Sequence, residues 1–107
     1  MQQKSLGNVN GFTEAEYEVL VDIALGLTDR AIAQRRSLSV RSVQNRLQQL
    51  YIKLGVYQPI GSQDDDGRFN LRARAVAVAF LRKLLNHNAL ERAESDLSAW
   101  LARQPHD

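Results

Sequence analysis

The segment SLSVRSVQNRLQQLYIKLGV, from Ser37 to Val56, constrains the fold more than any other part of the chain. Its apolar residues are separated by three, four, three and four positions, the spacing that lines one face of an α-helix. The pattern predicts a helix over Val40–Leu54 that begins after the cap Ser39 and ends at Gly55. The residues predicted to face inward are Val40, Val43, Leu47, Leu50 and Leu54.

Positive charge is concentrated around this helix. The 107-residue chain has a net charge of only +2, but residues 30–63 contain no acidic side chain. A folded block with cations alone is typical of a protein that binds a polyanion, and the alternative is chance clustering on a solvated face. The cations of this basic block are Arg30, Arg35, Arg36, Arg41, Arg46 and Lys53.

Four further helices are predicted from caps and apolar spacing. Thr13 and Glu16 match the capping box that begins a first helix, and Thr28 caps a short helix over Asp29–Arg36. Asn70 caps a fourth helix from Leu71 to Asn86, and a fifth runs over Ala89–Arg103. The inward residues are expected to be Tyr17 or Val19, Leu20, Ile23, Ala24 and Leu27 in the first helix, Ile32 and Ala33 in the second, and Leu90, Ala93, Leu97, Trp100 and Leu101 in the fifth.

These elements predict an all-α fold: a helix-turn-helix bundle of four helices with an extra C-terminal amphipathic helix. We expect residues 1–11 to be a flexible N-terminal segment and residues 12–86 to form the helix-turn-helix domain, with a long loop over 57–69. Residues 87–107 would carry the extra helix. The fourth helix is apolar nearly all round, so we expect more than one of its faces to be covered.

Several classes of function are not supported by the composition. The chain has no cysteine, and we expect no metal and no cofactor. The aspartate-rich loop resembles a calcium loop only in part, because Ala73 stands where the bidentate glutamate is needed. No membrane-length apolar run or signal peptide is present, so we expect a cytoplasmic protein without a membrane partner. His87 and His106 have no nucleophile or carboxylate pair arranged around them, so an enzyme is not expected.

Two short helices joined by a tight turn, with a basic second helix, match the layout of a helix-turn-helix DNA-binding unit. The major groove of DNA admits one helix, and arginine, glutamine and asparagine can pair with its base edges. Carboxylates on such a helix would be repelled by the flanking phosphates. The acid-free outward face therefore predicts binding to double-stranded DNA.

The same region carries a series of short motifs in one ungapped order: Glu16-x-Glu18-Val19-Leu20, Ile23-Ala24-x-Gly26-Leu27-Thr28, Ala-Ile-Ala at 31–33, Ser39-x-x-Ser42-Val43-x-Asn45, and Lys53-Leu54-Gly55-Val56. Through them, residues 12–56 resemble the LuxR-type (GerE-like) DNA-binding domain of bacterial transcription regulators. Arg74-Ala75-Val76-Ala77 is similar to the start of the fourth helix of that family.

The resemblance implies a role for each matching position. In the family the third helix lies in the major groove, which implies base contacts from Gln44, Asn45 and Gln48. Contacts with the DNA backbone are implied for Asp29, Arg30, Arg41, Ser42, Arg46 and Lys53. The fourth helix of the family commonly makes a dimer contact, so together with the extra helix we expect a homodimer formed through Phe80, Leu84, Leu97, Trp100 and Leu101.

The chain also departs from the family pattern. Arg36 and Ser37 stand where the family has a buried leucine and a turn glycine, so a differently shaped turn is expected. The extra helix could pack over the fourth helix or pair with a second copy, and we favour a dimer. Two alternatives stay open. One is a promoter binder like region four of sigma factors, which would act with RNA polymerase. The other is a protein-interaction adaptor that has lost DNA binding, and the long loop, Arg36 and the extra helix with Trp100 favour it.

Overall fold

The computed structural model of the chain describes residues 8–9, 11–56 and 70–105. The predicted all-α fold is confirmed, and the elements are β1 (Asn8–Val9), β2 (Phe12–Thr13), α1 (Glu14–Ala24), α2 (Asp29–Arg36), α3 (Val40–Leu54), α4 (Leu71–Leu81) and α5 (His87–Ala102). The predicted loop 57–69, most of the predicted N-terminal segment and His106 lie outside the described residues. None of the helices in the described ranges is long and apolar enough to cross a membrane.

Each of the first four helices begins after the capping side chain that the sequence predicts. Thr13 accepts a hydrogen bond from the Glu16 amide at 3.0 Å, and the Glu16 carboxylate accepts one from the Thr13 amide at 3.0 Å, which completes the capping box. The predicted start of α5 at Ala89 was wrong by two residues. Asn86 accepts from the Ala89 amide at 2.8 Å, so the helix begins at His87.

Left-handed residues end α2 and α4. Ser37 takes φ 58° and ψ 48°, the conformation that a turn glycine would supply, so the α2–α3 turn keeps that conformation without the glycine. The predicted end of α4 at Asn86 was wrong. Lys83, with φ 63°, ends the helix early, because the Leu84 amide bonds back to the Ala79 carbonyl at 2.8 Å.

The core lies where α1 packs against α3 and α4, with α2 packed on α3. Val43, Leu47, Leu50 and Leu54 are buried as predicted, but Val40 is 39% exposed because it is the first residue of α3 and precedes the packed turns. Ala75 and Ala79 are the buried residues of α4, which packs against both α1 and α3, and Val76 and Val78 are partly buried against the same core. The predicted burial is confirmed for Val19, Leu20 and Ile23 of α1, for Leu27 in the turn after α1, and for Ile32 and Ala33 of α2. Tyr17 and Ala24 are partly buried.

A buried carboxylate joins α1 to α2, and the sequence pattern did not predict it. Asp22 is 0% exposed, and both of its oxygens accept hydrogen bonds from Arg36 at 2.9 Å. Arg35 donates to the same carboxylate at 2.9 Å. The hydrogen bonds that Arg36 donates to Asp22 raise the pKa of the Arg36 guanidinium. This bidentate arrangement fixes α2 against α1.

Candidate nucleic-acid interface

One face of α3 is exposed over most of its length and carries no acidic side chain. The helix divides as predicted, since Val43, Leu47 and Leu50 on the opposite face are buried against α1 and α2. The amide and guanidinium groups of the exposed face can donate and accept hydrogen bonds, as base edges in a major groove require. Its exposed polar members are Arg41, Gln44, Asn45, Gln48 and Gln49.

The start of α2 lies beside this face. The Nε2 atom of Gln44 donates to Oδ2 of Asp29 at 3.4 Å, which brings the first residue of α2 next to the middle of α3. Ser42 lies at the start of α3, where its amide donates to Oγ of Ser39 at 3.0 Å. Arg30, the second residue of α2, is exposed. The positions that the family resemblance assigns to base and backbone contacts therefore lie on neighbouring elements.

Three cations of the basic block are paired with acids of α1. Arg35 and Arg36 bind the buried Asp22, as described above. The ammonium of Lys53 lies 2.7 Å from Oε1 of Glu16 and 3.2 Å from the Gly11 carbonyl oxygen. Half of the cations of the basic block therefore have a carboxylate of α1 as a partner.

Lys53 is one of the residues implied as a DNA backbone contact, and its surroundings explain how it is held. Besides its two hydrogen bonds, the ammonium lies 5.9 Å from the centre of the Phe12 ring. Lys53 thus joins the end of α3 to the β1–β2 turn and to the start of α1. The pairing of β1 with β2 was not predicted from the sequence. A phosphate at this position would compete with Glu16 for the ammonium.

The other three cations of the block are arranged differently. Arg30 and Arg41 are exposed and Arg46 is half-buried. Within residues 11–56 and 70–105, none of these three makes a hydrogen bond or ion pair with another described residue. Arg30 is the second residue of α2, and Arg41 and Arg46 lie on α3, three residues before and two residues after Gln44. These are the positive charges of the block that remain available to phosphates.

Arg72 is a further cation at this interface that the sequence analysis missed, since it lies outside the basic block. It is the second residue of α4, and its Nη1 atom lies 2.5 Å from Oδ1 of Asp29. Its Nη2 atom donates a hydrogen bond to the Leu27 carbonyl. Gln44, Gln48 and Tyr51 line a cleft of about 330 Å³ with Leu71, Arg72, Asp29 and Leu47. Burial raises the pKa of Tyr51 in that cleft.

The residues predicted to form a dimer contact separate into two groups. Leu97 is buried in the core, and Leu84 and Trp100 are partly buried against it, because α5 packs on α1 within the same chain. These three side chains therefore contact the core of their own chain, and a dimer contact through Leu84 and Trp100 stays a prediction. Phe80 is 40% exposed and Leu101 is 50% exposed. The prediction that Leu101 faces inward was therefore wrong, because Leu101 lies one residue beyond Trp100 and so on a different side of α5.

Comparison of the chain with protein-family models, with curated proteins and with solved structures finds no match.

Proposed function

We propose that this protein is a sequence-specific double-stranded DNA-binding transcription regulator that places α3 in the major groove. The observation that supports this most is the exposed, acid-free face of α3, with its amides at Gln44, Asn45 and Gln48. Each well-formed pairing between such a side chain and a base edge contributes about 1–3 kcal/mol of discrimination. The three amide side chains would therefore provide most of the specificity.

Affinity would come from phosphate contacts around that face. Arg30, Arg41 and Arg46 are the cations of the basic block that no described carboxylate neutralises. Ser42 and the backbone amides at the start of α2 add donors at helix N-termini, where the helix dipole favours an anion. Binding should therefore weaken steeply as salt rises, because each phosphate contact releases counterions.

Selection of bound sequences from a random duplex pool tests the proposal. The full chain is expected to retard duplex DNA at low salt and to enrich one motif over repeated rounds. Gln44→Ala should relax the preference at one position of that motif, whereas Arg41→Gln should weaken binding to every sequence alike. Failure to retard any duplex at roughly 50 mM salt would reject the proposal, because phosphate contacts are strongest there.

A protein-interaction adaptor is the second candidate function, and one observation favours it. The ion pairs of Arg35, Arg36 and Lys53 with α1 reduce the positive charge that half of the cations of the basic block can offer to a phosphate. The same binding assay separates the two candidates, since an adaptor would give no retarded duplex.

We further propose that the regulator acts as a homodimer, because two copies can read two half-sites of a two-fold DNA site. Phe80, Leu81 and Leu101 support this, since they are large apolar side chains exposed on α4 and α5. Sedimentation of the wild-type chain and of Phe80→Ser with Leu101→Ser measures it. The wild type should sediment as a dimer and the double variant as a monomer, and a wild-type monomer both with and without DNA would contradict the dimer.

A further inference from the structure

Asp29 lies between the exposed face of α3 and the start of α4, and its two carboxylate oxygens have different partners. Oδ1 accepts from Nη1 of Arg72 at 2.5 Å, and Oδ2 accepts from Nε2 of Gln44 at 3.4 Å. Arg72 is itself held at a second point, because its Nη2 atom donates to the Leu27 carbonyl. The guanidinium therefore fixes the carboxylate, and the carboxylate in turn contacts the side chain predicted to read a base.

The chemistry of this contact determines which way the Gln44 amide faces. An ionised carboxylate only accepts hydrogen bonds, so the amide must present its nitrogen to Asp29. The opposite end of the amide is the carbonyl oxygen Oε1, and Gln44 is an exposed residue. One acceptor, Oε1, and the second hydrogen of Nε2 are therefore left for a ligand.

We propose that Arg72 and Asp29 are positioning residues that set the base preference of Gln44 to adenine. This inference depends on the proposed DNA-binding function. Adenine presents a donor at N6 and an acceptor at N7 in the major groove, which match Oε1 and the remaining hydrogen of Nε2. Guanine presents acceptors at both N7 and O6, so Oε1 would face an acceptor without a hydrogen between them.

Four duplexes test this inference, identical except for the base pair whose preference Gln44→Ala abolishes. Wild-type protein should bind the duplex with adenine at that position about tenfold more tightly than the duplex with guanine. Asp29→Asn keeps the shape of the side chain, but its new amide can donate to Oε1 and allow the Gln44 amide to turn round. The adenine-to-guanine ratio should then fall to about threefold or less, which corresponds to the loss of one hydrogen-bond preference.

Arg72→Gln gives a second, independent change. Loss of the guanidinium releases Oδ1 of Asp29, so the adenine-to-guanine ratio should fall in this variant as well. Arg72→Lys restores the charge and can restore one of the two donors, so it should recover part of the ratio. A purely structural role would lower affinity for the four duplexes equally and leave the ratio unchanged.

Two control variants belong to the same measurement. Arg92→Gln removes a guanidinium from the exposed surface of α5 and should leave the ratio unchanged. Gln48→Ala removes a neighbouring amide of α3 and should reduce affinity without changing the ratio at the Gln44 position.

The outcomes separate this inference from the proposed function. If wild-type protein binds duplex DNA but does not prefer adenine at that position, the inference is overturned and the DNA-binding function stands. Retention of the full ratio in both Asp29→Asn and Arg72→Gln also overturns it. Absence of binding to any duplex by wild-type protein rejects the proposed function, and the inference with it.

Discussion

Two aspartates, Asp22 and Asp29, each accept hydrogen bonds from an arginine and from a second side chain, yet they lie in opposite environments. The side chain of Asp22 is 0% exposed and binds Arg35 and Arg36 across the α1–α2 contact. The side chain of Asp29 is 28% exposed and binds Arg72 and Gln44 beside the outward face of α3. The first contact holds helices together, and the second holds a side chain that is available to a partner.

The difference shows that a count of cations along a sequence does not measure the charge of a surface. Arg35 and Arg36 belong to a segment without acids, but they share the carboxylate of Asp22 in the preceding helix, and Glu18 lies 3.8 Å from Arg36. Arg72 lies outside that segment, yet it reaches the candidate interface. The positive potential around α3 therefore depends on which cations α1 neutralises.

The largest effect is expected from Asp22→Ala. Removal of this carboxylate leaves the guanidinium of Arg35, whose side chain is 9% exposed, without its acid, and leaves Arg36 only Glu18 at 3.8 Å. This change should lower the free energy of unfolding by about 3–5 kcal/mol. Asp29→Ala should change it by about 1 kcal/mol or less, because the Asp29–Arg72 pair is partly exposed. Urea unfolding of both variants measures the difference. Equal losses of unfolding free energy in the two variants would show that Asp22 and Asp29 contribute equally to stability, contrary to this account.

A smaller effect is expected from the cations of α3. Arg41→Gln and Arg46→Gln should each weaken binding to all duplexes and reduce the slope of log affinity against log salt by about 1. Lys53→Gln should reduce the slope by less, because the Lys53 ammonium already binds Glu16 and the Gly11 carbonyl. Salt titrations of the three variants on one duplex measure the slopes. A larger change for Lys53→Gln than for Arg41→Gln would reverse this ranking.

The smallest effect is expected from the contribution of the Glu16 carboxyl to the pH dependence of stability. Burial raises the pKa of Glu16, but the hydrogen bonds that Lys53 and the Thr13 amide donate, and the charge of Lys53, lower it more, so it lies below its ordinary value of 4.5. A carboxyl whose pKa is lowered on folding stabilises the folded state at pH values above its pKa in the unfolded chain. That stabilisation is lost as the pH falls through the pKa of the carboxyl in the folded state.

Unfolding measured between neutral pH and pH 3 tests this prediction. Wild-type protein should lose more stability below pH 4.5 than Glu16→Gln, which has no carboxyl to protonate at that position. Parallel curves for the two proteins would mean that the Glu16–Lys53 pair does not contribute to folding.

Local sequence signals predicted much of the fold. Thr13, Thr28, Ser39 and Asn70 cap helices where the sequence places them, and α3 has both of its predicted bounds. These features depend on residues a few positions apart, so they can be recognised in a linear sequence. The end of α4 could not be recognised in this way, because Lys83 takes a left-handed conformation and no glycine or proline indicates it.

The candidate site was predicted only in part, for a related reason. Helical periodicity identified the exposed positions of Gln44, Asn45 and Gln48, since it depends on one helix alone. The pairing of Arg35 with Asp22 spans 13 positions and that of Arg72 with Asp29 spans 43. Such contacts arise from the packing of α1, α2 and α4, which no local pattern encodes.

The proposal that the exposed face of α3 meets DNA is tested most directly by the amide chemical shifts of the ¹⁵N-labelled chain during titration with a selected duplex. The largest changes should fall on α3 from Arg41 to Gln48 and on the start of α2, while α5 changes little. Changes concentrated around Phe80 and Leu101, with the amides of α3 unaffected, would contradict the account.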